Sequence, residues 1–333
     1  MEIKKLKENI YLFTLKNEFI SVSFTNYGGY ITNILVPDIN GKYDDVVLGY
    51  DSIEGYLKDT ESMGALVGRV ANRIKKGHFT LNNKEYHLAI NNGPNHLHGG
   101  IKGFSQQIFD YEVHDEQVTL TYLSKDLEEG YPGNLLLKAK YYLKDKALVI
   151  EYEASTDQDT LINITNHSYF NLSGGKSSIT KHQLMVKANQ IACVDQDGLP
   201  TGKFLEVEKT PFDFNELKEI GLSLKTHHSQ IILGNGLDHP YLLSTTNNQV
   251  ILYDPCSKRQ LTVSTTLPSA QIYTANFLKD VLGKNQQLYQ KHDGICIETQ
   301  FLPDAIHIEE HPSTILRKGE TFKAMTSYCF KVV

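Results

Sequence analysis

The stretch that decides the fold class is Gly77–Ile90, GHFTLNNKEYHLAI. Apolar residues alternate with polar residues on either side of Asn82-Asn83, which can supply a turn. The alternating apolar positions are Phe79 and Leu81, then Tyr86, Leu88 and Ile90. A period of two is typical of a half-buried strand, and asparagine tolerates the positive φ angles of a two-residue turn. The stretch therefore predicts a β-hairpin.

The same alternation recurs along the chain on both sides of this hairpin. It runs through Ile10–Phe24, Gln117–Leu123, Leu135–Tyr152 and Gln249–Thr265. Helical candidates are few and short, at Ser52–Leu57 and Phe214–Leu224. No linker, low-complexity tract or fixed repeat divides the sequence. We therefore predict one all-β domain over residues 1–333, built of many antiparallel strands in two or more packed sheets.

Charge and cysteine usage exclude several classes of protein. The 333 residues carry a formal net charge of -6, which counts against a nucleic-acid or anionic-membrane partner. No window approaches 18 consecutive apolar residues, so we predict no membrane span. The four cysteines are scattered without a CxxC spacing, so reduced thiols are favoured over a disulfide framework or a zinc site. We expect a soluble, cytoplasmic protein.

Two segments concentrate basic side chains in unusual surroundings. In GRVANRI, from Gly68 to Ile74, Arg69 stands between a glycine and a valine; its planar fork of donors suits two hydroxyls or a carboxylate, although most such arginines are surface charges. In NNGPNHLHGG, from Asn91 to Gly100, His96 and His98 share one face if the segment is extended. The flanking glycines indicate a close approach of backbone to a ligand.

A metal site at His96 and His98 is the alternative for the second segment. Such a site needs a third and a fourth ligand, and β-barrel metal enzymes of the cupin type supply a glutamate shortly after the second histidine. Gly99 to Ile108 contains no carboxylate. Two imidazoles that form hydrogen bonds with a ligand are therefore favoured over a metal.

Two further segments place ionisable groups among apolar ones. NITNHSYFNLSGG surrounds His167 with amide, hydroxyl and aromatic side chains, a mixture that suits a sugar in a polar cleft with an aromatic wall; a satisfied core histidine is the competing interpretation. In GICIETQFLPDA, Cys296 and Glu298 alternate with two isoleucines, and burying the glutamate is costly unless it is paired or used. The alternative is that both face solvent. Asp238 lies in GNGLDHPY, a segment equally compatible with a turn.

Together these segments resemble the aldose 1-epimerase (galactose mutarotase) family. The matching motifs keep their order over roughly residues 45–305: GRVANRI with the following hairpin and NHLHGG, then EEGYPGNL, NHSYFNLSG, GLDHPY, PSAQIYTANFL and IETQFLPDA. The resemblance implies a large antiparallel β-sandwich, also called a supersandwich, in agreement with the alternation. It also implies an isomerase that acts on a small-molecule aldose and needs no metal or organic cofactor.

Carried over residue by residue, the resemblance implies three catalytic residues: Glu298 as the general base at the anomeric hydroxyl, His167 as the general acid at the ring oxygen, and His96 as a hydrogen-bonding residue near that oxygen. Arg69, Asp238 and Gln271 would hold the remaining hydroxyls. Because the chain has no tryptophan, Tyr169 is the candidate aromatic platform. Departures from the family pattern at Pro240, Ala275 and His307 bear on substrate preference rather than on the type of reaction.

Other functions remain open from the residues. One is a noncatalytic sugar-binding protein on the same fold; another is an epimerase of hexose phosphates, which would need additional cations in the pocket. The preferred sugar and the oligomeric state are not determined by the sequence.

Overall fold

The computed structural model describes residues 1–309 and 311–333. Strands dominate the described chain. In chain order they are β1 (Glu2–Lys7), β2 (Ile10–Lys16), β3 (Ser21–Thr25), β4 (Ile31–Pro37), β5 (Tyr43–Asp45), β6 (Leu66–Val67), β7 (Arg73–Ile74), β8 (His78–Leu81), β9 (Lys84–His87), β10 (His96–Leu97), β11 (Asp110–His114), β12 (Gln117–Ser124), β13 (Leu135–Lys144), β14 (Ala147–Thr156), β15 (Thr160–Leu161), β16 (Thr165–Asn166), β17 (Tyr169–Phe170), β18 (Gln183–Val186), β19 (Ala188–Val194), β20 (Pro200–Glu206), β21 (Lys218–Glu219), β22 (Asp238–Leu243), β23 (Val250–Tyr253), β24 (Arg259–Thr265), β25 (Ser269–Tyr273), β26 (Val281–Leu282), β27 (Leu288–Tyr289), β28 (Ile295–Gln300), β29 (Ile315–Leu316) and β30 (Thr321–Val332).

Helices are short connectors between these strands. The α-helices are α1 (Ile53–Leu57), α2 (Ile220–Leu224) and α3 (Ser229–Leu233). Single 3₁₀ turns lie at Lys75–Gly77, Phe104–Gln106, Glu128–Gly130, Ile179–Lys181, Lys284–Gln286 and Ala305–His307. No helix among the described residues is both long enough and apolar enough to cross a membrane.

Three larger antiparallel sheets organise the chain. The first has the order β1-β2-β3-β4-β5, the second β11-β12-β13-β14-β30-β24-β23-β18-β21, and the third β17-β28-β25-β22-β19-β20. The remaining strands form two-stranded ladders, among them β8-β9, β10-β7 and β16-β6. The late strand β30 pairs with β14 on one side and with β24 on the other.

The apolar faces of these sheets meet in one core. Its main cluster draws side chains from all three sheets. Phe24 of the first sheet stacks on Tyr141 of the second with ring centroids 4.4 Å apart, and Phe170 of the third lies 5.5 Å from Tyr328 of the second. Because alternate residues of each strand face this core, the all-β prediction and the antiparallel sandwich are confirmed.

The hairpin prediction is confirmed as β8 and β9. Phe79, Leu81 and Tyr86 are buried, and Asn82 and Asn83 adopt φ angles of 52° and 60° at the turn. Leu88 is buried beyond the end of β9, but Ile90 is 51% exposed. The alternation therefore extends further in the sequence than the strand extends in the structure.

The other local predictions differ in outcome. The four alternating segments contain β2 and β3, β12, β13 and β14, and β23 and β24. Ser52 is the N-cap residue of α1. The segment Phe214–Leu224 is helical only in its last five residues, because Lys218 and Glu219 pair with β18 instead. All four cysteines are free thiols.

Candidate active site

Four neighbouring strands of the third sheet carry the candidate side chains on one face. In the order β17-β28-β25-β22, Tyr169 lies opposite Cys296, Gln271 opposite Glu298, and Asp238 opposite Tyr273. Directly opposed residues in an antiparallel pair point to the same face of the sheet. This face is the wall of a cavity of about 370 Å³.

The described residues that line this cavity combine polar groups with an aromatic wall. They are Thr60, Glu61, Ser62, Asn72, Arg73, Asn92, Leu97, His98, His167, Tyr169, Asp238, Tyr273, Phe277 and Glu298. A larger depression of about 460 Å³ lies on the outer side of the second sheet. Four of its charged residues form two ion pairs, Lys323 with Glu153 at 3.3 Å and Lys140 with Glu151. Among the described residues no imidazole or thiol lines it. The smaller cavity is therefore the candidate active site.

Glu298 is buried at the wall of this cavity. Its Oε1 lies 3.6 Å from Nε2 of His167, and its Oε2 is buried without a hydrogen-bond partner among the described residues. Burial and the nearby Asp238 carboxylate raise the pKa of Glu298 well above its usual value, while the Arg73 guanidinium opposes that shift. A buried carboxylate oxygen that lacks a partner is costly, so this atom is positioned to accept a hydrogen bond from a ligand.

His167 is held between the carboxylate and a thiol. The backbone N–H of His167 donates to Ala65 O, and its Nδ1 lies 3.5 Å from Sγ of Cys296. The ring of Tyr169 lies against the imidazole at 5.1 Å between centroids. Burial lowers the pKa of His167 to about 4. Desolvation disfavours the charged imidazolium, so the neutral form of His167 is favoured despite the neighbouring carboxylate.

Asp238 and Gln271 form a second polar pair in the same sheet. Nε2 of Gln271 donates to Oδ1 of Asp238 at 2.6 Å, and Oε1 of Gln271 is buried without a partner among the described residues. Burial raises the pKa of Asp238, whereas Arg73 and the Gln271 hydrogen bond oppose the rise. Asp238 begins β22 rather than occupying a turn.

Arg73 and His98 reach the cavity from outside the third sheet. Arg73 Nε donates to Oδ1 of Asn92 at 2.9 Å. Nδ1 of His98 accepts a hydrogen bond from the backbone N–H of Asn72 at 3.2 Å, and the backbone N–H of His98 donates to Asn72 O. Burial and the neighbouring His167 and Arg73 lower the pKa of His98 well below its usual value. A neutral His98 whose Nδ1 accepts must carry its proton on Nε2, which makes that atom a donor.

Comparison with known proteins assigns the family. The sequence profile described as Aldose 1-epimerase matches residues 11–329. The chain belongs to the aldose 1-epimerase family. The earlier resemblance is thereby confirmed, and membership makes the chain an isomerase of the aldose 1-epimerase type.

Individual members of the family are similar over almost the whole chain. The galactose mutarotase of Bos taurus is 42% identical, with 96% of this chain and 94% of that protein covered, and the aldose 1-epimerase of Escherichia coli (strain K12) is 32% identical with the same coverage. Among solved structures, galactose 1-epimerase from Lactobacillus acidophilus NCFM superposes with a TM-score of 0.88 at 32% identity, covering 99% of this chain and 98% of that chain. An aldose epimerase homologue from C. elegans gives 0.91 at 30% identity, covering 97% and 99%.

In this aldose 1-epimerase two predicted contacts do not lie at the cavity. Arg69 is buried in the interior: its Nη1 donates to Pro132 O, Gly133 O and Thr160 Oγ1, and its Nη2 donates to Ser124 Oγ at 2.6 Å. Both Nη atoms are engaged by protein oxygens, and Nε is buried without a partner among the described residues, so Arg69 presents no exposed donor to a sugar from this position. Arg73, four residues later, lines the cavity instead.

His96 is likewise part of the interior. Its Nδ1 lies 2.8 Å from Ala89 O and its Nε2 lies 2.7 Å from the hydroxyl of Tyr131, so both ring nitrogens have protein partners. His96 and His98 do not share a face, because β10 ends at Leu97 and His98 adopts a φ of 52°. Of these two histidines, His98 is the one that lines the cavity.

Among the remaining predictions, Glu298, His167, Asp238 and Tyr169 line the cavity, and Gln271 is hydrogen-bonded to Asp238 beside it. The alternative that Cys296 and Glu298 face solvent is wrong, since their exposed fractions are 0% and 2%. Sequence reasoning missed Asn72, Asn92 and the rim residue Phe277. Asn72 adopts a left-handed conformation. Asparagine is enriched in that conformation, so a break in the strand at this position was detectable in principle.

Proposed function

We propose that this aldose 1-epimerase interconverts the α and β anomers of a free aldohexose such as galactose or glucose. Glu298 takes the proton from the anomeric hydroxyl, and Nε2 of His167 delivers a proton to the ring oxygen as the C1–O5 bond breaks. The open aldehyde rotates about C1–C2, and the reverse transfers close the ring on the other face. The observation that carries the proposal is the 3.6 Å approach of His167 and Glu298 in a cavity of small-molecule size.

The pKa shifts of His167 and Glu298 support these two proton transfers. With the ring closed, the reaction needs an ionised Glu298 and a protonated His167; once the ring is open, both are neutral. Burial raises the pKa of Glu298 and lowers that of His167, so the cavity favours the protonation state of the open-chain intermediate. Arg73 lowers the pKa of Glu298, which favours the carboxylate that starts the reaction. The two protonation states of the pair contain the same number of protons, so both transfers use groups already present.

The remaining polar groups fit the hydroxyls of the sugar. We assign Asp238 and Gln271 to hydroxyls, since one is an acceptor and the other has a buried oxygen free. Arg73 and the Nε2–H of His98 supply donors from the opposite elements of the cavity. Tyr169 packs on His167 and presents an aromatic surface to the C–H face of the sugar.

The two alternatives fit the cavity less well. A pure sugar-binding protein would gain nothing from a buried carboxylate and imidazole in contact. For a hexose phosphate, Arg73 is the one permanent cation among the described lining residues, and Glu61, Asp238 and Glu298 also line the cavity. A phosphate dianion would therefore meet more carboxylates than cations.

Polarimetry of freshly dissolved α-D-galactose in buffer with EDTA tests the proposal. We expect the protein to speed the decay of rotation without changing its final value. No acceleration with galactose, glucose or other aldoses would contradict catalysis and leave sugar binding as the function. Acceleration only of the sugar phosphates would support the phosphate alternative.

We also propose that residues 1–333 form one domain, because the main apolar cluster joins all three sheets. Cytoplasmic location and the absence of nucleic-acid and membrane partners stay predictions from composition. The independence of the reaction from metals and organic cofactors is a prediction that the EDTA in the polarimetry assay examines.

A further inference from the structure

The outer face of the β8–β9 hairpin carries a cluster of metal-ligand side chains, His78, Glu85 and His87, which we call the hairpin triad. One ligand atom from each side chain lies within 4.8 Å of the other two. Nε2 of His78 is 3.9 Å from Oε2 of Glu85, and the two imidazole centroids are 5.0 Å apart. None of the three lines the catalytic cavity.

The strand register places the triad on one face. His78 lies opposite His87, and Thr80 lies opposite Glu85. Leu88 N donates to Gly77 O at 2.7 Å, so the preceding pair, His78 and His87, is the non-hydrogen-bonded type in which side chains approach most closely. The backbone of a register-locked hairpin therefore holds the two imidazoles side by side.

The opposite face of the hairpin fixes its position on the protein. Phe79, Leu81 and Tyr86 alternate with the triad and are buried in a cluster with Tyr131. A shift of register by one residue would expose these apolar side chains and bury the triad. The spacing of the three ligand groups is thus set by core packing, while Glu85 and His87 stay exposed to solvent.

The donor set selects a class of ion. Two imidazole nitrogens and one carboxylate suit Zn²⁺, Cu²⁺ or Ni²⁺, whereas Mg²⁺ and Ca²⁺ prefer oxygen ligands. Metal–ligand bonds of about 2.0–2.2 Å at tetrahedral angles put ligand atoms about 3.4 Å apart. The present separations, which lie within 4.8 Å, must shorten to that value, and the exposed side chains of Glu85 and His87 have solvent space in which to rotate.

We propose that His78, Glu85 and His87 form a surface site for a divalent first-row transition metal ion, with Zn²⁺ as the probe. Three protein ligands and solvent complete the coordination. The ion would bridge β8 and β9 and stabilise the folded hairpin by mass action. This site is separate from anomer interconversion, whose proposed acid and base need no ion.

Isothermal titration of EDTA-stripped, desalted protein with zinc chloride at pH 7.5 tests the site. We expect binding that weakens at least about tenfold in both H87A and E85Q, and no comparable binding of Mg²⁺. The matched control is H114A. His114 is an exposed imidazole 2.8 Å from a carboxylate of Asp115, a two-ligand pair on another strand, so its loss should leave the affinity unchanged.

Thermal melting separates metal binding from damage to the fold. In EDTA, H87A should melt like the unmodified chain because His87 is exposed; with saturating Zn²⁺, only the unmodified chain and H114A should gain stability. Zinc binding at His167, Cys296 and Glu298, whose ligand atoms also lie within 4.8 Å, would persist in H87A. Unchanged zinc affinity in H87A, equal loss in H114A, or no binding at 1 mM Zn²⁺ would each overturn the proposal.

Discussion

Nε2 of His167 lies 3.6 Å from Oε1 of Glu298, and the two side chains are only 6% and 2% exposed. Under the proposed mechanism, one of these groups accepts a proton from the sugar while the other donates a proton to it. Glu298 is held by the backbone pairing of β28, and His167, between β16 and β17, is held by the hydrogen bond from its backbone N–H to Ala65 O. The separation is therefore fixed by backbone hydrogen bonds on both sides.

The first prediction concerns the base. E298Q keeps the size of the side chain but cannot accept the anomeric proton, so we expect kcat to fall by about 10²- to 10⁴-fold with KM within a few-fold. E8Q, at an exposed position that does not line the cavity, serves as the control and should retain full activity. Polarimetric kinetics measure both. Near-normal turnover in E298Q would refute the assignment of the base.

The second prediction separates the two neighbouring arginines. R73M removes donors at the cavity, so we expect kcat/KM to fall by about 10- to 100-fold, mainly through KM, with little change in melting temperature. R69M leaves the carbonyl oxygens of Pro132 and Gly133 unsatisfied, so we expect a loss of unfolding free energy on the order of 3 kcal/mol. Denaturant unfolding and kinetics distinguish these effects. The reverse pattern would return the sugar contact to Arg69.

The third prediction is the pH dependence of kcat/KM in the unmodified enzyme. When His167 and Glu298 together carry two protons, Glu298 cannot act as the base. Burial lowers the pKa of His167 to about 4, so activity should stay level down to about pH 5 and fall through pH 4. Loss of the shared proton removes the acid, so activity should also fall at alkaline pH. An acid limb near 6.5, the ordinary value for histidine, would contradict the effect of burial. A rate that keeps rising above pH 9 would contradict His167 as the acid.

The fourth prediction concerns the support of Arg73 by a glycine. A Cβ added to Gly198 would lie 2.9 Å from Nη1 of Arg73, and Gly198 has a φ of +75°. G198A should displace the guanidinium and raise KM about tenfold. Gly202 has a φ of +78° with nothing within 4 Å of an added Cβ, so G202A imposes similar backbone strain without the contact. The two variants should lose similar stability, and equal KM values would show that the contact is unimportant.

The sequence predicted the strands well because one face of each strand is buried and the other is not. The alternation through β13 and β14 and through the β8–β9 hairpin is a local property. Which strands pair is not local: nothing in the pattern of β30 indicates that it lies between β14 and β24. The motifs likewise indicated segments whose residues line the candidate site.

Within those segments the sequence could not identify the residue that faces the cavity. The choice between Arg69 and Arg73, and between His96 and His98, depends on left-handed residues at Asn72 and His98. Each such residue rotates the chain out of the alternation that a strand pattern assumes. The strands of the third sheet contain no such residue between their candidate groups, which is why Cys296 and Glu298 were placed on a common face correctly.

The position of β30 between β14 and β24 has a consequence for how this protein folds during translation. β14 and β24 are synthesised before β30. Each of them exposes an unpaired edge until residues 321–332 emerge. Folding from the first residues onward is the usual order during translation, but here the second sheet can close only after residues 321–332 have emerged. The facing edges of β14 and β24 are therefore open to edge-to-edge aggregation until β30 is available to pair with them, and chaperone demand should fall once β30 is released.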